Sequence, residues 1–187
     1  GPMRDLVFKK FLSYGKPELA QQVADEGLAL DPGNVDLYEL RANARAFREN
    51  YSGALDDLEQ IVVLDSTRAD STFFVKYLVF ASQKPDSARL VHWSSLALAK
   101  FPDNVTLIKQ VAGAYAQVGQ ADSLAASLNL LVKYDSAAAV GFALQQAKVF
   151  QDAKQNALAT PFIDFAVTNG DAQSKEGAAG LLLNGTL

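Results

Sequence analysis

Apolar residues recur along this chain at helical spacing, in short runs that come in pairs separated by polar turns. Val7, Phe8 and Phe11 mark one helical face, and Leu19, Ala20, Val23, Ala24 and Leu28 mark the next, before Asp31-Pro32-Gly33-Asn34 interrupts the pattern. A second pair follows, with Leu37, Tyr38, Ala42 and Phe47 in its first run and Ala54, Leu55, Leu58, Ile61, Val62 and Leu64 in its second. The third pair begins near Ala69, with Phe73, Phe74, Tyr77 and Phe80, and closes at Phe101-Pro102-Asp103-Asn104. The fourth, from Val105, carries Ile108, Val111, Ala112 and Tyr115, then Gly119, then Leu124, Leu128 and Leu131. Each run predicts a helix of about four turns, and each pair a helical hairpin.

The pairs are periodic. Ala20, Ala54 and Ala88 lie 34 residues apart, each shortly after a turn-like stretch: Gly15-Lys16-Pro17, Asn50-Tyr51 and Lys84-Pro85. Two helices in a short hairpin approach closely only where a small side chain faces a large one, so these alanines, with Ala42 and Ala112 in the first helices, are expected at the tightest contacts. Proline after a second helix stops it, because proline cannot extend a helix and turns its predecessor away from helical geometry. From Ala88 to Pro102 is 14 residues where Ala20 to Pro32 is 12, which predicts a second helix two residues longer in the third hairpin. The Lys84-Pro85 pair reads as the repeat of Lys16-Pro17.

Period, alanines and turns together resemble the tetratricopeptide repeat over Arg4 to Ser136. The resemblance implies an all-α fold: a right-handed α-solenoid of stacked helix-turn-helix hairpins, with about five repeats and a C-terminal capping helix. The expected repeats are 3–34, 35–68, 69–104, 105–138 and 139–170, with the cap over 171–184, in a single domain over 3–187. Three departures from the family pattern stand out: Arg41 and Arg45 where it usually has Leu and Tyr, Leu124 where it has Ala, and Lys76 on an otherwise apolar stripe. Beyond Ser136 the pattern is looser. Val140, Ala143, Leu144, Ala147 and Phe150 make one face, and Ala157, Phe162, Ile163 and Val167 another, where Pro161 predicts a kink or a break. The last helix, Asp171 to Leu183, needs cover for Ala178, Leu181, Leu182 and Leu183.

In this architecture ligands are expected on the concave wall, which the first helices line. Counting around those helices from the packing residues places Asp5 and Lys9, then Glu39, Asn43 and Phe47, then Phe73, Tyr77 and Phe80, then Lys109, Gly113 and Gln117 on it. Phe73, Tyr77 and Phe80 form either one apolar strip in the groove or part of the core. The family's carboxylate clamp, which holds free C-termini through Lys and Asn, fits poorly: Lys9 and Asn43 are in place, but Asp5 adds a negative charge and the third first helix offers rings where Lys and Arg are needed. An apolar or mixed peptide is the expected ligand.

Composition narrows the field. The 187 residues carry 17 Lys and Arg against 21 Asp and Glu, a formal charge of −4, so no general affinity for nucleic acid follows. Without cysteine there is no disulfide, thiolate metal site or cysteine nucleophile, and no cofactor motif occurs. The single histidine, His92, beside Trp93, has no acidic neighbour on its face and reads as a packing or surface residue. Arg41, Arg45 and Arg48 form a basic row that Glu49, Asp56 and Asp57 are expected to neutralise. No apolar run is long enough to span a bilayer. Gly1-Pro2 reads as the remnant of a cleaved tag, so compartment is open, cytoplasmic or periplasmic. The expected function is a non-enzymatic scaffold or adaptor that binds a protein or peptide segment. Alternatives are a recruiting module of a larger enzyme or of an envelope assembly lipoprotein, and a self-associating solenoid that forms homo-oligomers. Three N-x-Ser/Thr matches, at Asn50, Asn104 and Asn184, are accounted for by chance.

Overall fold

A computed structural model describes residues 15–184, which hold ten α-helices and one 3₁₀ turn. The expected face of Val7, Phe8 and Phe11, and the groove residues Asp5 and Lys9, lie outside the described residues. The helices are α1 (Pro17–Leu30), α2 (Val35–Phe47), α3 (Tyr51–Leu64), α4 (Ser71–Gln83), α5 (Ser87–Lys100), α6 (Val105–Gln117), α7 (Ala121–Leu131), α8 (Ser136–Asp152), α9 (Asn156–Asn169) and α10 (Ala172–Asn184). They fall into two compact units that divide between Asp86 and Ser87. In the first, α1 packs on α2, α2 on α3 and α3 on α4. In the second, neighbours from α5 to α10 pack in sequence, and α10 folds back onto α8 as well as α9.

Helix starts explain both the repeat and its irregularity. The second helices begin at residues 17, 51, 87, 121 and 156, so the steps are 34, 36, 34 and 35. At the fourth residue of each stands Ala20, Ala54, Leu90, Leu124 or Ala159, and all five are fully buried. The eighth residues of α2, α4, α6 and α8 are Ala42, Leu78, Ala112 and Ala143, again fully buried. Ala88 is exposed, and Leu90 takes the place expected for it. The cause is a two-residue insertion before the hairpin's first helix: Ser66–Arg68 forms a 3₁₀ turn between α3 and α4, while α5 is 14 residues long, like α1 and α3. The Asp65 carboxylate holds that turn, accepting from the Thr67 backbone N–H at 3.0 Å and its hydroxyl at 2.6 Å. The match of Lys84-Pro85 to Lys16-Pro17 therefore fails, since Pro17 opens α1 whereas Ser87 opens α5.

Turns within hairpins follow one geometry. Two residues before a second helix, Gly15, Glu49, Gly119 and Lys154 adopt φ of 67°, 60°, 72° and 59°. The next N–H then reaches back to the preceding helix: Asn50 to the Arg45 carbonyl at 2.8 Å, Gln120 to Tyr115 at 2.9 Å, Gln155 to Phe150 at 2.8 Å. Pro85 holds the corresponding place before α5, and its ring fixes φ near −65°, so the left-handed turn is closed to it. First helices start from side-chain caps. Asn34, Asp70, Asn104 and Asp135 accept from the N–H three residues on, at 2.8 to 3.2 Å. Asn50 caps α3 in the same way, so two of the three N-x-Ser/Thr matches are helix caps.

Two expectations change in the second unit. Helix α9 runs unbroken through Pro161, an exposed sixth residue, so proline removes one bond near the helix start while Ala159, Phe162, Ile163 and Ala166 anchor the helix in the core. Helix α10, capped by Asp171, buries Ala178 and ties the Leu181 carbonyl to Gln151 Nε2 at 2.6 Å, but leaves Leu182 and Leu183 exposed.

The basic row is neutralised, for Arg41 and Arg45 by Asp57, one of the three acids the spacing suggests, and for Arg48 by groups on α1. Asp57, 1% exposed, is the hub: Arg41 Nη2 lies 2.7 Å and Arg45 Nη1 2.9 Å from its carboxylate. Arg41 also reaches Asp25 on α1 at 2.8 Å, so one guanidinium joins three helices, and the hydrogen bonds to Asp57 hold its pKa well above the ordinary value. Arg48 turns to Gln21 and Glu18. Glu49 has no part in the network.

Two stability measurements follow. Lys154→Gly raises, and Gly119→Ala lowers, the free energy of urea unfolding by about 1 kcal/mol, because only a Cβ makes the left-handed turn costly. Asp57→Ala lowers it by about 3 kcal/mol because Arg45 loses its carboxylate partner and Arg41 the buried one of its two, whereas Arg48→Ala, at the surface, costs less than about 1 kcal/mol.

Candidate functional site

Helices α2 and α4 end side by side, and between their last turns the first unit has an open depression of about 660 Å³. Asn43, Ala46 and Phe47 line it from α2, Val79, Phe80 and Gln83 from α4, Glu49 from the turn between α2 and α3, and Tyr51 from the start of α3. Phe47 is the last residue of α2; the chain then swings through left-handed Glu49, and the ring is left 68% exposed. Phe80 is half-buried, its ring 6.2 Å from that of Tyr51 and tilted by 54°. Val79 beside it is exposed too, so the depression is apolar with a few polar groups: the Asn43 and Gln83 amides and the Glu49 carboxylate.

One turn towards the start of these helices, charge links them. Glu39 on α2 accepts from Lys76 Nζ on α4 at 2.7 Å, which gives the lysine on the apolar stripe its purpose. Arg68 of the 3₁₀ turn reaches both Asp36 and Glu39. Below them a smaller cavity of about 140 Å³ opens between Phe73, Thr72 and Ile61, ringed by these same charges.

Of the residues expected on the concave wall, Asn43, Phe47 and Phe80 meet in the depression and Glu39 lies beside it in the ion pair with Lys76. The strip of Phe73, Tyr77 and Phe80 does not exist. Phe73 is 8% and Tyr77 0% exposed. Phe73 packs edge-on against Phe74, with centroids 5.8 Å apart, and Tyr77 donates its hydroxyl to Glu59 at 2.6 Å. The outward face of α4 is Lys76, Val79, Phe80 and Gln83, about one residue's rotation from the expected set. Lys109 and Gln117 belong to α6 in the second unit. Lys109 pairs with Asp135 at 2.6 Å, and that hydrogen bond, with the Ala138 N–H, holds the Asp135 carboxyl below the usual range. Gln117 is exposed at the end of α6 and Gly113 half-buried. Ala46, Glu49, Tyr51, Val79 and Gln83 were not expected; Glu49, Tyr51 and Gln83 stand at or just beyond helix ends, where the apolar period carries no information.

His92 is exposed on α5, edge-on to Trp93 at 5.9 Å. Among the described residues no three His, Cys, Asp or Glu side chains are grouped to hold a metal ion, and no helix is long and apolar enough to cross a membrane.

No family model and no curated protein matches the chain. Solved structures do. MamA 41-end from Desulfovibrio magneticus RS-1 is 11% identical with a TM-score of 0.64, covering 97% of this chain and 94% of that one. YrrB, described as a TPR protein with an unusual peptide-binding site, is 14% identical at TM-score 0.63, covering 94% of this chain and 88% of its own. Nearly identical TPR-like repeats of a kinesin light chain from Podosopora anserina are 13% identical at 0.57, covering 97% and 94%. At such identities the likeness is one of fold, and the chain has the all-α helical-repeat fold of tetratricopeptide proteins.

Burial separates the two classes of ring. Tyr77→Ser lowers unfolding free energy by about 3 kcal/mol or more, as for other large core truncations, and Phe47→Ser changes it by less than about 0.5 kcal/mol. A thermal melt followed by circular dichroism reads both.

Proposed function

We propose that the chain is a protein-interaction module, non-enzymatic, whose first unit seats a side chain of a partner's peptide segment between Phe47 and Phe80. The observation that carries this is Phe47 itself, a large ring left 68% exposed at the mouth of an open apolar depression. Burying such a ring against a partner is worth about 1.5–3 kcal/mol, enough to anchor a short segment. The Asn43 and Gln83 amides beside it supply hydrogen bonds of the kind that orient a peptide backbone. YrrB, with the same fold, is described as binding peptide, which supports this use of the fold without indicating the ligand here.

The test compares three baits in capture from native lysate: the wild-type chain, Phe47→Ser, and Leu30→Ser. Leu30 is 81% exposed at the end of a second helix, away from the depression, and controls for general stickiness. The reading expects a partner retained by wild type and Leu30→Ser and lost by Phe47→Ser. Equal retention by Phe47→Ser refutes it. Light scattering on the same proteins tests the competing self-association: a dimer in wild type and a monomer in Phe47→Ser makes a second copy the occupant.

A further inference from the structure

The ligand's charge is legible in the same depression. We propose that it takes a cationic side chain, Lys or Arg, of the partner segment, the aliphatic stem lying on the rings and the charged head at Glu49. This rests on the peptide-binding reading above and adds the chemistry of the residue bound.

Three independent features converge on a cation. Glu49 is the one charged side chain among those that line the depression. The lining comes mainly from the C-terminal parts of α2 and α4, whose two negative dipole ends outnumber the positive end of α3, which enters only through its first residue, Tyr51. Phe47, Tyr51 and Phe80 present rings, whose faces attract a cation brought within about 6 Å. A long basic side chain matches this mixture, because its methylene stem covers apolar surface while its head stays at the wet rim.

The protein's own cations do not fill the place. Arg41 and Arg45 are held by Asp57, Arg48 turns to Gln21 and Glu18 on α1, and Lys76 is paired with Glu39. Lys84, which follows α4, is not among the lining residues. An acidic ligand, such as the free carboxylate that the family's clamp would hold, meets the Glu49 carboxylate and no cationic side chain among the lining residues.

A random dodecapeptide library displayed on phage and selected on the full chain tests this, with affinities of the enriched peptides then measured by fluorescence anisotropy. The expected result is an Arg or Lys next to an apolar residue in the enriched sequences. Their affinity should fall about fivefold or more in Glu49→Lys, a reversal of one rim charge, and weaken with added salt. Glu49→Gln, which keeps side-chain shape, should fall in the same direction by less. Enriched peptides that lack a basic residue, or bind Glu49→Lys as tightly as wild type, overturn the cation proposal; if they are also lost by Phe47→Ser, peptide binding in the depression stands. Peptides that bind Phe47→Ser unchanged, or no enrichment at all, overturn both.

Discussion

Close approach of short helices is the constraint on which the rest depends. Helices of 11 to 17 residues are marginal alone in water, so each must gain its stability from its neighbours. The fourth residue of each second helix and the eighth of each fully described first helix are buried without exception, whether Ala or Leu. Where both are Ala, as with Ala42 and Ala54 in the second hairpin, little side-chain bulk stands between the backbones. Larger side chains take the slack elsewhere. Turns then need only return the chain: the left-handed residues at 49, 119 and 154 do so in connections of three residues, and Asn and Asp caps set the start of the next helix.

Within that frame the second hairpin departs from purely apolar packing. Arg41 and Arg45 stand on a face where the repeat usually carries Leu and Tyr, and Asp57, buried opposite, makes their positions tenable. A buried ion pair of this kind is weak evidence for added stability, since desolvation offsets most of the attraction. Arg45 Nε even lacks a partner. What the hub does is direct charge. It draws the Arg41 and Arg45 guanidinium groups inward, Asp25 holds Arg41 and Gln21 holds Arg48 toward α1, and Glu49 is the one charged residue lining the depression beside Phe47. Packing and the electrostatics of the depression are thus one arrangement.

How much of this the sequence disclosed differs by scale. The all-α hairpin architecture and the helices described up to Ser136 were legible, because apolar period and turn residues repeat several times over. A single insertion hid the register of the third hairpin. Its two residues sit in a polar connection where no apolar pattern marks them, and a chance alanine at 88 restored the look of an unbroken 34-residue step. Helical phase was the second loss. On α4 aromatic residues occur almost all round, so Phe73 and Tyr77 look no different from Phe80 until burial sorts them. Pro161 misled for a third reason: a helix held on both sides by core contacts tolerates one missing bond at its exposed face.

The candidate site was legible in part, and the missing part has a common cause. Asn43, Phe47 and Phe80 lie on helix faces, where counting from core positions finds them. Glu49, Tyr51 and Gln83 lie at helix ends, where the chain leaves the period, and only local conformation brings them to the same place. Glu49 illustrates this most clearly. Its φ of 60° serves the turn, and glycine at 15 and 119 serves it with less strain. Since the turn does not require a carboxylate, the carboxylate itself is what distinguishes this hairpin from its neighbours. The turn supplies a fixed position and the side chain supplies charge, so the fold's most repetitive element carries the feature that makes one hairpin chemically different from the rest.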